Sequence, residues 1–290
     1  MTEIDLSLEL APRVIAQDLA ELTERVPVDR RNLFIFGLGY TGRYIGQKLA
    51  ALGWRISGTS RDPETRQHVQ ANGINAFDFS ILSSDDVRQY DNILVTIGPD
   101  RSRGDDPTLI SHGDLLGSGK PRWLGYFSAT SVYGAVDGWI DEASPTEPTT
   151  ERGKRRLKIE QDWTSWAKQH GIPLSLLRLA GIYGPGRNIL EQLTAGTARV
   201  VEKPGHVFNR IHVEDIARAT VFDLAQAAPY SVRNLADGEP LSQQDWTAKA
   251  AKLLKIEPPA PIPFEKAKVN MSPMGLSFWS ESRKIAAPRF

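Results

Sequence analysis

Three glycines spaced as Gly37-x-Gly39-x-x-Gly42 stand directly after four apolar residues, Leu33 to Phe36. This spacing suits chemistry carried by backbone rather than by side chains, namely the grip of a dinucleotide's pyrophosphate. The first glycine permits a tight turn, the second lets the phosphates approach the main chain, and the third lets helix and strand pack closely. Leu38, Tyr40 and Thr41 complete the turn, and the helix that follows presents unpaired N–H groups and a positive dipole end to the phosphates. About 20 residues further on, a ribose with a free 2′-hydroxyl usually meets an Asp or Glu. This chain reads Thr59-Ser60-Arg61 there, with its first carboxylate at Asp62. Hydroxyls and a guanidinium suit a 2′-phosphate, because Arg holds phosphate through a bidentate fork. The implied cofactor is NADP in preference to NAD, and S-adenosylmethionine, which also calls for an acid at this point, is disfavoured. Asp78 either accepts from an adenine amino group or caps the turn after it. Ile97 and Gly98, followed by Pro99, let a cofactor pass close to the backbone.

Such residues need rigid elements behind them. Leu33–Phe36 and Asn92–Pro99 are near-continuous apolar runs, the pattern of parallel strands buried on both faces. Trp54–Thr59, Ile74–Phe79 and Arg122–Ser128 read as further strands. Helices over Thr41–Leu52 (closed by Gly53) and Pro63–Asn72 alternate with them, and Asp100–Pro107 reads as a loop. Alternation of this kind predicts an α/β fold, a Rossmann doubly wound parallel sheet, with ligands beyond the carboxyl ends of the strands. Ahead of it, Leu10, Val14, Ile15, Leu19 and Leu22 fall near helical spacing, with Pro12 in a first turn. The spacing predicts an amphipathic helix laid against its own domain or joining two copies in a homodimer.

Composition narrows the partners. The 290 residues carry 35 basic and 35 acidic side chains, so no global field favours nucleic acid or an anionic membrane. The absence of cysteine excludes disulfides and thiolate chemistry, and the five histidines show no metal-ligand spacing, so no metal is expected. No apolar run approaches the roughly 20 residues that span a bilayer. Glu3 and Asp5 are unlike the start of a signal peptide, which makes the cytoplasm the expected setting.

Four later segments extend the pattern: Ser128-Ala129-Thr130-Ser131-Val132-Tyr133-Gly134, Arg178 to Gly186 (RLAGIYGPG), Arg210-Ile211-His212-Val213-Glu214-Asp215, and Asn234 to Gly238. In this order they resemble the extended short-chain dehydrogenase/reductase family, the NAD-dependent epimerase/dehydratase group, over residues 33–240. The resemblance implies a dinucleotide-binding domain over 32–182, preceded by the extension 1–31. A mostly substrate-binding C-terminal lobe follows over 183–290, with a return to the sheet near 211–237. It also implies a catalytic Tyr-x-x-x-Lys on the helix after Val-Tyr-Gly. With Gly153 and Glu160 on the family's Gly and Glu, those two positions hold Arg152 and Arg156, and the family's catalytic Ser/Thr falls on Ala129, beside Thr130. Arg stays protonated in proteins and cannot act as the tyrosine does. The resemblance is therefore to an atypical branch with a divergent site.

Within that frame Thr130, Tyr133 and Arg156 are the candidate catalytic groups, and Ser128 and Arg152 join the cofactor set. Tyr183, Arg187 and Arg210 are candidates for a small-molecule substrate, anionic or a sugar nucleotide. Ser280 to Lys284 resembles the family's final Ser-x-Arg-Lys segment. Two functions stay open: an NADP-preferring oxidoreductase or epimerase with a rearranged acid/base set, and a catalytically inactive NADP-binding sensor, regulatory or structural protein.

Overall fold

A computed structural model describes residues 6–11, 14–100 and 102–286. The strands are β1 (Asn32–Phe36), β2 (Arg55–Thr59), β3 (Asn75–Phe77), β4 (Asn92–Val95), β5 (Trp123–Ala129), β6 (Trp139–Ile140), β7 (Leu174–Leu179), β8 (Gly181–Tyr183), β9 (Val201–Glu202), β10 (Arg210–His212), β11 (Tyr230–Leu235), β12 (Ile262–Pro263) and β13 (Lys284–Ile285). The longer helices are α1 (Leu19–Glu24), α2 (Tyr40–Ala51), α3 (Pro63–Gln70), α4 (Ser84–Arg88), α5 (Pro107–Gly119), α6 (Glu151–His170), α7 (Ile189–Thr194), α8 (Val213–Gln226) and α9 (Gln243–Leu254). Two short helices, α10 (Phe264–Ala267) and α11 (Pro273–Ser277), follow.

Seven strands form one parallel sheet in the order β11-β7-β5-β4-β1-β2-β3. This is the doubly wound α/β fold that the sequence pattern predicts. Strand β1 shows why the apolar run is continuous. Leu33 and Ile35 pack into a core with Ile45 and Leu49 of α2 and Ile216 of α8, while Phe34 and Phe36 pack on the opposite face with Leu116, Ile159 and Trp163. A strand covered by helices on both faces has no polar side to show. The sheet order reverses at β1, with β2 on one side and β4 on the other, so the glycine turn stands at the topological switch point.

After β7 the chain leaves the sheet through β8, which pairs with β10, and β10 runs straight into α8. His212 caps that helix, its Nδ1 accepting from the Glu214 N–H at 3.1 Å. Helices α7 and α9 make a smaller apolar cluster with Tyr183 and Trp246. The last described strand, β13, pairs with β6 and carries the C-terminal segment back beside the N-terminus of α6.

Two expectations about local structure fail. The N-terminal segment is not one amphipathic helix: a 3-10 turn spans Leu6–Glu9 and α1 starts only at Leu19, where Asp18 accepts from the Leu19 N–H at 2.7 Å. The reason is that main-chain groups a helix would need are taken by α8. Val14 N–H donates to Asp215 at 3.4 Å, and the Ile15 carbonyl accepts from Arg218 at 3.4 Å. Pro12, expected in the first turn, lies outside the described residues. Second, Pro107 is not in a loop but opens α5, with Asp106 as the cap. Asp-Pro at a helix start was the local signal.

Candidate functional site

The glycine turn behaves as its spacing requires. Gly37 has φ +103°, and a Cβ there would come within 2.7 Å of the side chains of Thr96 and Ile97. A Cβ on Gly42 would collide with the Gly37 carbonyl oxygen, so α2 can sit this close to β1 only without one. Gly39, the residue before α2, faces open space. That space is a cavity of about 850 Å³ lined by Gly37, Leu38, Gly39, Thr59, Ile97 and Gly98 among others. Thr59 is buried and shapes the turn from below, its hydroxyl accepting from the Gly37 N–H at 3.1 Å. Thr41 is buried in the first turn of α2, and Tyr40 lies under the Arg187 guanidinium, 5.6 Å from ring centroid to Cζ.

Ser60 and Arg61 line the same cavity at the end of β2, together with Arg43 from α2. Neither arginine side chain forms a hydrogen bond or ion pair with another described residue, whereas the nearby carboxylates Asp62, Asp78 and Asp100 are all engaged, Asp100 by the Ser102 and Arg103 N–H groups. Asp62 caps α3 through the N–H groups of Glu64 and Thr65 at 3.4 and 3.0 Å, and the Thr65 hydroxyl, with those N–H groups, holds its carboxyl below the ordinary value. Asp78 accepts from the Ser80 N–H at 2.9 Å and pairs with Arg66 at 3.0 Å, and its carboxyl is likewise lowered. Of the two roles open to Asp78, the structure shows the cap. Arg43, an α2 residue four positions after Gly39, carried no signal in the sequence beyond falling one turn into the helix.

Helix α6 brings Arg152 and Arg156 to one side, a turn apart. Arg156 donates to the Tyr126 hydroxyl at 2.8 Å and the Phe127 carbonyl at 3.0 Å, and its Nη2 lies beside Gly98. Beneath it Asp106, capping α5, is buried and its carboxyl is pushed up to about 6 by desolvation. Ser128, at the end of β5, is buried with its hydroxyl unpaired among the described residues.

Arg152 opens instead into a second cavity of about 150 Å³, lined also by Thr130, Asn209, Phe278, Glu281 and Arg283. Expected among the cofactor residues, it does not line the glycine-turn cavity. No local sequence signal marks the C-terminal residues Phe278 to Arg283 as part of a site, although Arg283 lies in the Ser-x-Arg-Lys segment. Long-range contacts bring them there: the β6–β13 pairing, the bonds of Glu281 to Thr149 and Thr150, and that of Asn209 to the Arg283 carbonyl. A third cavity of about 380 Å³ holds Tyr183, Arg187 and Arg210 with Trp246 and Trp279. Arg210 stacks on Trp246, Cζ to centroid 4.5 Å, and desolvation lowers its pKa to about 10.

Tyr133 is a correction. It is fully buried, its hydroxyl donating to Asn234 at 2.8 Å and accepting from Arg178 at 2.7 Å, and it lines none of these cavities. Arg178 is held in turn by Glu160 of α6 at 2.7 Å. Burial raises the tyrosine pKa, the wrong direction for proton transfer near neutrality. The residue is a buried structural link, and its candidacy as a catalytic acid is withdrawn. Thr130 does line the second cavity, its carbonyl accepting from Arg283 at 2.9 Å.

Residues 116–236 match the model of the NAD dependent epimerase/dehydratase family. A functionally unknown conserved protein from Silicibacter pomeroyi DSS is 40% identical, with a TM-score of 0.80 over 88% of this chain and 89% of that one. Over residues 116–236 the chain is similar to the epimerase/dehydratase family. Protein YeeZ of Escherichia coli K12 is 29% identical over 245 residues, 79% of this chain and 86% of its own length. A solved structure of MoeE5 in complex with UDP-glucose and NAD shares the fold at 16% identity, with a TM-score of 0.65 over 80% of this chain and 84% of that chain. Among the described residues no cluster could hold a metal ion, and no helix is long and apolar enough to cross a membrane.

Proposed function

We propose that this protein is a member of the epimerase/dehydratase family that binds NADP in the glycine-turn cavity and uses it on a small molecule, as an oxidoreductase or epimerase with a divergent acid/base set. One observation carries the cofactor reading: Arg43 and Arg61 are uncommitted at the cavity wall while Asp62 and Asp78 are both engaged elsewhere. A 2′-phosphate would meet two guanidiniums there, and a 2′-hydroxyl would find no free carboxylate. The open space over Gly39 and the first N–H groups of α2 fit a pyrophosphate. Gly37, Leu38 and Gly42 shape that turn, and Ile97 and Gly98 form the far wall. When bound, the nicotinamide supplies hydride exchange. The chain's own residues bind and orient it, and the setting we infer is the cytoplasm.

The substrate would lie in the two cavities beside Thr130 and Tyr183. A sugar nucleotide, as MoeE5 holds in its complex, or a smaller anion are the candidate classes. A second reading, an NADP-binding sensor without turnover, draws on α6, which has no tyrosine and presents Arg152 and Arg156.

Thermal denaturation tests the cofactor reading. A ligand at 100 times its dissociation constant adds about 2.7 kcal/mol, so NADPH should raise the midpoint clearly and NADH less. Arg61→Ala should narrow that difference by about tenfold in affinity ratio, the worth of one charge-assisted contact. No shift with either nucleotide would end the cofactor reading. An unchanged ratio in the variant would remove Arg61 as the selector. NADPH oxidation over a panel of ketones and nucleotide sugars separates enzyme from sensor.

A further inference from the structure

We propose that the cavity between Arg152 and Arg283 is a carboxylate-binding subsite that anchors the acid group of the substrate. The inference deepens the functional reading above and rests on it for calling the occupant a substrate. Its grounds are the cavity's own donors. The Arg152 side chain forms no hydrogen bond or ion pair with any described residue. Its guanidinium stands over the Phe278 ring, Cζ to centroid 4.4 Å, a contact that uses its face and none of its N–H groups. A planar fork with a free edge is the geometry that accepts a carboxylate through two parallel bonds.

Arg283 supplies the second donor. Its side chain is only 10% exposed, and it gives one nitrogen to the Thr130 carbonyl and another to Glu281. Its Nε is buried with no partner among the described residues. A buried charged donor without an acceptor is costly, and a small turn of the side chain toward a ligand oxygen in the cavity would satisfy it.

The charge balance selects the ligand. Glu281 is the one carboxylate of the lining, and it is consumed by Arg283 and by the Thr149 and Thr150 N–H groups at 3.2 Å each. Two guanidiniums against one carboxylate leave a single positive charge, which a monoanion balances. Phosphate carries more than one negative charge at neutral pH and is tetrahedral, so it fits less well. Burial and the like charges of Arg156 and Arg283 press on Arg152 and lower its pKa, which an incoming anion would relieve. The cavity shares Gly181, Phe208 and Asn209 with the cleft of Trp246 and Arg210. A carboxylate anchored at Arg152 therefore leaves the rest of its molecule facing that larger, aromatic space.

The test uses the full chain, with and without saturating NADP, and the isosteric probes propionate and propionamide at matched ionic strength. Propionate should raise the thermal midpoint and propionamide should not. Arg152→Ala should weaken propionate about tenfold or more, with Arg152→Lys in between, while the NADP-induced shift stays unchanged. The Arg152 side chain makes no hydrogen bond or ion pair with a described residue, so these variants should fold. The proposal is overturned by an absent propionate shift, by an Arg152→Ala variant that binds propionate normally or loses NADP instead, or by inorganic phosphate outcompeting propionate. A propionate shift without any NADP shift would sink the cofactor reading and leave the subsite standing. The reverse pattern would do the opposite.

Discussion

At the scale of single residues, position in the hydrogen-bond network separates structural groups from functional ones. Tyr133 joins Arg178 and Asn234 across the join of β7 and β11, and Arg178 extends the link to Glu160 of α6. Tyr133→Phe would leave a buried guanidinium and a buried amide short of a partner, which costs roughly 1–3 kcal/mol. Denaturant midpoints should fall accordingly while NADPH affinity holds; unchanged stability would show that the hydroxyl does not carry the link. Asp106 makes a pH-dependent case. Its folded carboxyl titrates near 6 against an ordinary value of 3.8, so the folded chain holds the proton more tightly than the unfolded chain. That contribution to stability is fully present below the unfolded value and disappears as pH rises through about 6. Asp106→Asn keeps an acceptor for the Thr108 and Leu109 N–H groups and removes the titration. Relative to the parent, the variant should gain up to about 3 kcal/mol between pH 4 and pH 7.5. Urea midpoints at the two pH values measure it, and a constant gap would refute the assignment.

At the scale of elements, the strand–turn–helix unit separates two uses of glycine that the sequence writes identically. A methyl group on Gly42 would strike the Gly37 carbonyl, so Gly42→Ala should destabilise the apo protein by about 1–3 kcal/mol, an overpacking cost. A methyl on Gly39 meets nothing within 4 Å, so Gly39→Ala should leave the apo midpoint unchanged and abolish most of the NADPH-induced shift. Equal effects of the two variants on apo stability would contradict this division. The sheet strands were legible because parallel strands buried on both faces run near-continuously apolar, as β1 and β4 do after Asn32 and Asn92. Helix α5 was missed because its apolar content is interrupted by glycines and its start by a proline that also marks loops. The C-terminal side of the Arg152 cavity was not legible as a site. Phe278, Glu281 and Arg283 reach it through β13 pairing with β6, 140-odd residues away in sequence, and no local pattern encodes such a meeting.

At the scale of the whole molecule, the N-terminal extension belongs to the fold that follows it. Ile15, Leu19, Leu22 and Val26 enter the core on the α2–α8 face of the sheet, while Leu10 and Ala11 enter the smaller cluster around Trp246. The extension thus touches two of the chain's apolar clusters and is fastened at its polar groups by α8. Arg218 reaches Asp215 at 3.1 Å and the Ile15 carbonyl, and Ser7 bonds His212 at 2.9 Å, the residue that caps α8. Packing within one chain and a dimer arm make different predictions for a core substitution. Leu22 is fully buried, so Leu22→Ala should cost about 2–5 kcal/mol through lost contacts and a residual cavity. If the extension packs on its own chain, that loss is the same at every protein concentration, because unfolding involves one molecule. If it packs on a second copy, the denaturation midpoint of the parent rises with concentration and the variant dissociates before it unfolds. Urea unfolding at low and high micromolar protein, with the mass of the native species followed in parallel, separates the two. A concentration-independent drop assigns the extension to its own core; a concentration-dependent one would reassign it to an interface.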